Sequence, residues 1–322
     1  MAPYIGILRA AGLAKETTVG TLVTPPTAYV PYIPPDGFSP DIMVLESKGI
    51  FSKPDAVYKA TQGPGHVKGK IKVELEPENC GDILMGAFGA DAVSGSAGAG
   101  YAHLMTRLAN AQLPSYSWWL DRGAAYAQFV GCMVNKLDIE IKAKEFVTLA
   151  AEYVGLAYDA TGSSKSPSYS TLHPFRFHQA AINVDSSPVL GYDNLKISVD
   201  NKVKAEHALS GSIYTSKIWS EGMRVTISAD LYFEDATQYN KFLAGTSAAF
   251  NIVITSDQDI PSSTPGTKAK LTLDLPTVLY TAAPLYGPTG VLKVPFAGVA
   301  VYNTGSGYTM AATLLNSRSS AY

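Results

Sequence analysis

The sequence predicts a mainly β protein with short flanking helices, organised as two tandem β-rich units. Three observations carry that prediction. Strand-like segments alternate apolar and polar residues with period two, only two short stretches have helical apolar periodicity, and one strand-then-helix phrase occurs twice. The first copy, Lys70-Ile-Lys-Val-Glu-Leu-Glu-Pro, runs into a helix ending near Gly89. The second, Ser228-Ala-Asp-Leu-Tyr-Phe-Glu-Asp, runs into one ending near Gly245. Ile71, Val73 and Leu75 alternate with polar residues up to Glu76, and Ala229, Leu231 and Phe233 do the same up to Glu234. One offset of 158 residues aligns these strands and also pairs Leu84 and Met85 with Phe242 and Leu243. Self-similarity at about half the chain length signals a repeated structural unit.

Length and composition agree with this organisation. At 322 residues each half is long enough to bury its own core. With 46% hydrophobic and 16% charged residues, the chain is ordinary globular material. A formal charge of −2 offers no basic footprint for tight, sequence-independent DNA binding. Two cysteines, Cys80 and Cys132, fit a reducing compartment better than a disulfide scaffold. Pro3 and Arg9 break the first apolar run, so no signal peptide is expected, and no stretch reaches the length a membrane helix needs.

Along the chain, residues 1–161 read as the first unit, 162–171 as a small polar linker containing Pro167, and 172–322 as the second unit. Within the first, residues 15–60 form a proline-punctuated arm. Proline donates no ladder hydrogen bond, so this stretch supplies only edge strands, extended segments and turns. Tyr29, Tyr32 and Phe38 make it too apolar for a free linker. It either packs over its own unit or docks on a neighbouring subunit. Asp91 to Gly100 reads as an exposed, flexible loop, and the glycines of 63–69 as a turn.

The groups that could support catalysis do not converge. His173 and His178 flank Pro174 and lack further ligands at metal-site spacing. Asp257 and Asp259 lack the glycine and terminal glutamate of a calcium loop. Gly63-Pro-Gly precedes a strand, whereas a phosphate cradle follows one and opens a helix. Both cysteines sit among apolar residues and read as buried thiols. Trp118-Trp119 could stack a sugar but is better read as a core and interface anchor. No catalytic residue, metal site or cofactor is expected.

The polar strand faces are the more specific signal. Lys70, Lys72, Glu74 and Glu76 form one, and Asp138, Glu140, Lys142 and Lys144 a second. Lys196, Ser198, Asp200 and Lys202 form a third, and Thr226, Ser228, Asp230 and Tyr232 a fourth. Sheets of this kind are packed on one side and wet on the other. Their open edges must be blunted or paired with another chain. Pairing around a ring gives a closed barrel with a wet lumen. A lumen of mixed charge would let a polyanion pass without holding it.

These residues resemble the tail tube proteins of long-tailed, siphophage-type bacteriophages. Lys15-Glu-Thr-Thr-Val-Gly-Thr-Leu-Val-Thr-Pro-Pro-Thr is similar to the Glu-x-x-x-Gly-Thr-x-x-x-Pro opening of one branch. The strand at 63–76 with its helix to Gly89, then Tyr101-Ala-His-Leu, Leu113-Pro-Ser-Tyr and Gly131-Cys-Met-Val-Asn-Lys-Leu, follow in the same order. The strand–Glu–Asp–helix phrase at 231–245 resembles the second unit of that branch. The resemblance implies tail-tube-like β-sandwich or barrel-segment units assembled into stacked rings in the virion tail, after synthesis in the host cytoplasm. Single-unit members form rings of six, so a two-unit chain implies rings of three with pseudo-six-fold symmetry. The family's lumen carries double-stranded DNA and a tape-measure protein, and its arms and loops join successive rings. The mixed charge of the strand faces departs from the family's acidic lumen. A tail terminator, baseplate hub or capsid decoration protein is the alternative, and a carbohydrate-binding β-sandwich a more distant one.

Overall fold

Alternating strands bury one row of side chains only when neighbouring strands satisfy their backbone groups, and here long antiparallel ladders do so. The computed structural model describes residues 9–35, 37–50, 52, 55, 57–108, 112–123, 126–159, 162–163, 165–233, 236–284 and 292–322. The first half contains β1 (Ala10–Lys15), β2 (Ala28–Val30), β3 (Gly37–Glu46), β4 (Ala60–Glu74), α1 (Gly81–Phe88), β5 (Gly89–Ser96), β6 (Gly100–Arg107), β7 (Tyr116–Asp121), β8 (Tyr126–Lys142), β9 (Thr148–Gly155) and β10 (Ala157–Asp159). The second contains β11 (Ala180–Val184), β12 (Ser187–Pro188), β13 (Tyr192–Asp200), β14 (Val203–Glu206), β15 (Lys217–Ser220), β16 (Arg224–Tyr232), α2 (Thr237–Ala244), β17 (Ala248–Asp259), β18 (Lys268–Ala282), β19 (Lys293–Ala300) and β20 (Ala311–Asn316).

The pairing pattern of the first half recurs in the second. β1 pairs with β2 and β7, β3 with β4, β4 with β9, and β8 with β7, β9 and β10. Correspondingly, β11 pairs with β12 and β17, β13 with β16, β16 with β19, and β18 with β17, β19 and β20. The hairpins β5–β6 and β14–β15 stand outside this pattern. Two further ladders, β8–β13 and β6–β20, join the halves. Ile71, Leu137, Ile197, Phe250 and Leu314 share one buried cluster, so the core is continuous across the connecting stretch at 162–171.

The two helices differ in a way that their shared phrase does not reveal. β4 and β16 end 158 residues apart, at Glu74 and Tyr232, but α1 and α2 begin 156 residues apart. The strand-to-helix turn is two residues shorter in the second copy. Leu84 and Met85 therefore do not correspond to Phe242 and Leu243, and Glu234 lies outside the described residues. Both helices end on a left-handed glycine, Gly89 and Gly245, which ties off their last carbonyls. Every residue of α1 is buried and none of α2 is. The second half supplies part of α1's cover. The Tyr322 ring lies so close that a Cβ on Gly81 would meet it at 1.9 Å. Arg318 stacks over that ring and pairs with Asp82 at 3.3 Å, and the Asn201 amide donates to the Ala87 carbonyl at 3.0 Å.

The Glu-x-x-x-Gly opening has a local physical cause. The Glu16 carboxylate is buried and accepts four hydrogen bonds, from the N–H groups of Gly20 and Gly131 and the hydroxyls of Ser115 and Ser117. One side chain thus fixes the turn after β1, the segment leading into and along β7, and β8. Hydrogen bonds to a charged group contribute about 1.5–3 kcal/mol each, which offsets the desolvation of the carboxylate.

Other expectations change. Residues 91–100 are not a loose loop: β5 and β6 form a hairpin whose turn is tied to the second half by a Thr264 N–H to Gly98 carbonyl bond of 2.9 Å. The glycines at 63–69 lie in β4, not in a turn. At Gly69 the ring of Phe38 lies where a Cβ would stand, at 2.2 Å, so only glycine permits that approach. Phe38 is 2% exposed and packs against Trp118, Phe129 and Tyr153 with ring centroids 5.1–5.3 Å apart. The proline-punctuated arm therefore contributes Val30 and Phe38 to the core. Tyr29 pairs with Gly12 through β2, and the Ile33 N–H donates to the Lys72 carbonyl. Phe38→Ala is expected to destabilise the folded chain by about 3–5 kcal/mol, measured by denaturant unfolding. A loss below about 1 kcal/mol would contradict this packing.

Glu76 lies beyond the end of β4, half-buried, with the Asn79 amide donating to it at 2.7 Å. Burial pushes its carboxyl up to about 7, with Glu74 adding to the rise and Asn79 opposing it. Between the ordinary value of 4.5 and about 7 the folded chain keeps a proton that the unfolded chain has lost. Its stabilising contribution is full below 4.5 and falls as pH rises through 7. Relative to Glu76→Gln, the natural chain is expected to lose stability as the pH of the unfolding measurement is raised across this window. A constant difference between the two would count against a titrating Glu76.

Candidate functional site: one polar face built from both halves

The β8–β13 ladder sets Asn194 opposite Lys142, Lys196 opposite Glu140, Ser198 opposite Asp138 and Asp200 opposite Lys136. On either side the registers continue through β9 to β4 and through β16 to β19. Side chains alternate faces along a strand, so these registers merge the polar faces of separate strands into one. Buried partners such as Ile71, Leu137, Ile197 and Ile227 occupy the opposite face.

The rows across this face explain its mixed charge. One row reads Lys70, Glu152, Lys136, Asp200, Arg224 across β4, β9, β8, β13 and β16, alternating in sign at every step. The next reads Lys72, Ala150, Asp138, Ser198, Thr226, and a third Glu74, Thr148, Glu140, Lys196, Ser228. Asp230 follows beside Asn194, which faces Lys142. Opposite charges directly across a strand pair stabilise it and like charges do not, so each strand's charges suit its neighbours.

Asp138 is the best-connected group at the seam. The Lys196 ammonium reaches it at 3.0 Å from β13 and that of Lys136 at 3.3 Å from its own strand, and the Ser198 hydroxyl donates to it at 2.5 Å. Partial burial pushes its carboxyl up. The hydrogen bonds from Ser198 and Lys196 and the charges of Lys196 and Lys136 outweigh that and hold it below the usual carboxylate range. Lys142 pairs with Glu140 at 2.7 Å. These contacts arrange charge but present no nucleophile, and burial pushes up the Cys80 and Cys132 thiols.

Of the anticipated polar residues, Lys70, Lys72, Glu74, Asp138, Glu140, Lys142, Asp200 and Asp230 share this face, whereas Glu76 has left the sheet. Tyr29 and Tyr32 are half-buried, and Phe38 is in the core. Glu152, Lys136 and Arg224 belong to the face but escape a strand-by-strand reading. β9 hides its polar row because Ala150 stands in it, and Lys136 follows a register shift in β8 between Val134 and Lys136. Trp118 and Trp119 are buried in β7, so they offer no sugar-stacking platform.

Among the described residues no helix is long and apolar enough to cross a membrane, and no group of three or more metal-ligating side chains converges. Comparison with curated proteins finds no match. A family model described as phage tail tube protein matches residues 6–300, a span that includes both occurrences of the pairing pattern except the final strand, β20. With one model covering nearly the whole chain, this protein belongs to the phage tail tube protein family and is a structural component of the virion tail.

Proposed function

We propose that this protein is the subunit of a siphophage-type tail tube, that its copies close into rings stacked end to end, and that the polar face lines the channel. The observation that supports this best is the continuity of that face. Two halves with the same strand pairing contribute adjacent parts of one sheet, joined edge to edge through β8 and β13. A chain that already repeats the unit once covers two positions of a ring, so three chains give pseudo-six-fold symmetry. A channel lined by alternating charges retains a polyanion weakly, which suits passage of double-stranded DNA and of a tape-measure protein.

Purified protein, concentrated and viewed by negative-stain microscopy, is expected to form rings and tubes of variable length with a stain-filled centre. Single rings that never extend would favour a terminator or hub instead. Monomers under every condition would contradict the reading.

A further inference from the structure

The halves meet at more than the β8–β13 ladder, and one patch of that junction has an uncovered twin. Met133 on β8 pairs across the sheet with Val154 on β9. Val203, in the segment after β13, packs over them with Leu113, and Ile218 of β15 joins the cluster. Met133 is 0% exposed as a result. The ladder's register runs on one pair further, since the Asn201 N–H donates to the Asn135 carbonyl, and the Asn135 side chain then takes the Val203 N–H and holds Val203 beside the sheet.

The recurrent pairing identifies the counterparts. Lys68 on β4 pairs with Val154, and Thr226 on β16, at the same offset as the strand ends, pairs with Val299. Val299 in turn pairs with Leu279 on β18, so Leu279 stands where Met133 stands in the first half. Likewise Gly37 pairs with Lys70 and Lys196 with Ser228, which makes β3 the counterpart of β13. Counting on from Gly37 and Lys196, Val44 stands where Val203 stands. Leu279 is 42% exposed and Val44 59% exposed. Met43 and Leu45 are exposed beside Val44, as is Val301 near Leu279. Among the described residues β3 has only β4 as a partner, and β18 beyond Val278 has only β19.

We infer that Leu279 and Val299 of one copy receive Val44 of a second copy, as Met133 and Val154 receive Val203 within the chain. The occupant is a second copy because each half of the missing contact is present on this chain, apolar and uncovered. In this arrangement β3 continues past β18 with the register of the β8–β13 ladder, so that Ile42 faces Thr281 and Val44 faces Leu279. The inference rests on the tube reading and specifies the contact within a ring.

The test uses two full-length single variants, Val44→Cys and Leu279→Cys. Both positions are exposed, so neither substitution disturbs the core, and the buried Cys80 and Cys132 are a constant background. Under assembling conditions with mild oxidation, an equimolar mixture is expected to give disulfide-linked dimers on a non-reducing gel, because the counterparts Val203 and Met133 pack in one cluster within the chain and the two thiols would take their places. Each variant alone is expected to remain unlinked. Rings and tubes that form normally from the mixture without cross-links would overturn this contact and leave the tube reading standing. Cross-links in Val44→Cys alone would overturn it too, by showing a symmetric contact. Absence of any assembly would remove both. As a second measure, Leu279→Asp is expected to abolish ring formation while leaving the monomer's unfolding midpoint unchanged, and rings of that variant would contradict the contact.

Discussion

The ladder between β8 and β13 is the constraint on which the rest of the structure depends. β8 runs from Tyr126 to Lys142, and its two ends have different neighbours. Its first part is held by β7 and β10, its second by β9 and β13. Backbone groups in the middle of a sheet must be paired, and a slip of one residue would turn every side chain to the wrong face. The buried row of Leu137, Ile139 and Ile141 against Val199, Ile197 and Leu195 fixes the register apolar to apolar. The polar row of the other face is then aligned as a consequence. Alternation of charge from Lys70 to Arg224 adds to the same register, since a shifted strand would set like charges together.

The same pattern of pairing occurs twice, but in two environments. α1 is sealed by β6, Asn201 and Tyr322, and its sequence Gly81–Phe88 is almost wholly apolar. α2 lies against β18 with no buried residue, and its sequence carries Gln238, Asn240 and Lys241. Met133 and Leu279 differ in the same sense. In each case residues that follow β13 supply part of the first-half element's cover, and among the described residues the second-half element has no corresponding cover. A repeated unit that covers its neighbour on one side leaves one uncovered surface and one unused cover per chain. The proposed self-association would use both.

Much of this was legible in the sequence and some was not, for identifiable reasons. Period two along Leu137 to Lys142 and Leu195 to Asp200 is a direct imprint of one buried and one wet face. Which strands share a face depends on pairing between distant segments, so the join of Asp138 to Lys196 and Ser198 is invisible along the chain. β9 was harder still, because Ala150 and Thr148 occupy its polar row. Phe38 lies among prolines and reads as an arm, yet Gly69 opposite it makes room for its ring. The Glu16 to Gly20 spacing was visible as a motif, while its meaning, a buried carboxylate shared with β7 and β8, needed the fold.

Chain number per ring tests the central claim most directly, because it follows from treating the two halves as neighbouring positions of one ring. Native mass measurement of the smallest closed assembly, set beside its rotationally averaged end view, gives that number. Three copies of the 34.2 kDa chain with six similar lobes are predicted. Six copies per ring, with one half of each chain outside the ring wall, would contradict the account.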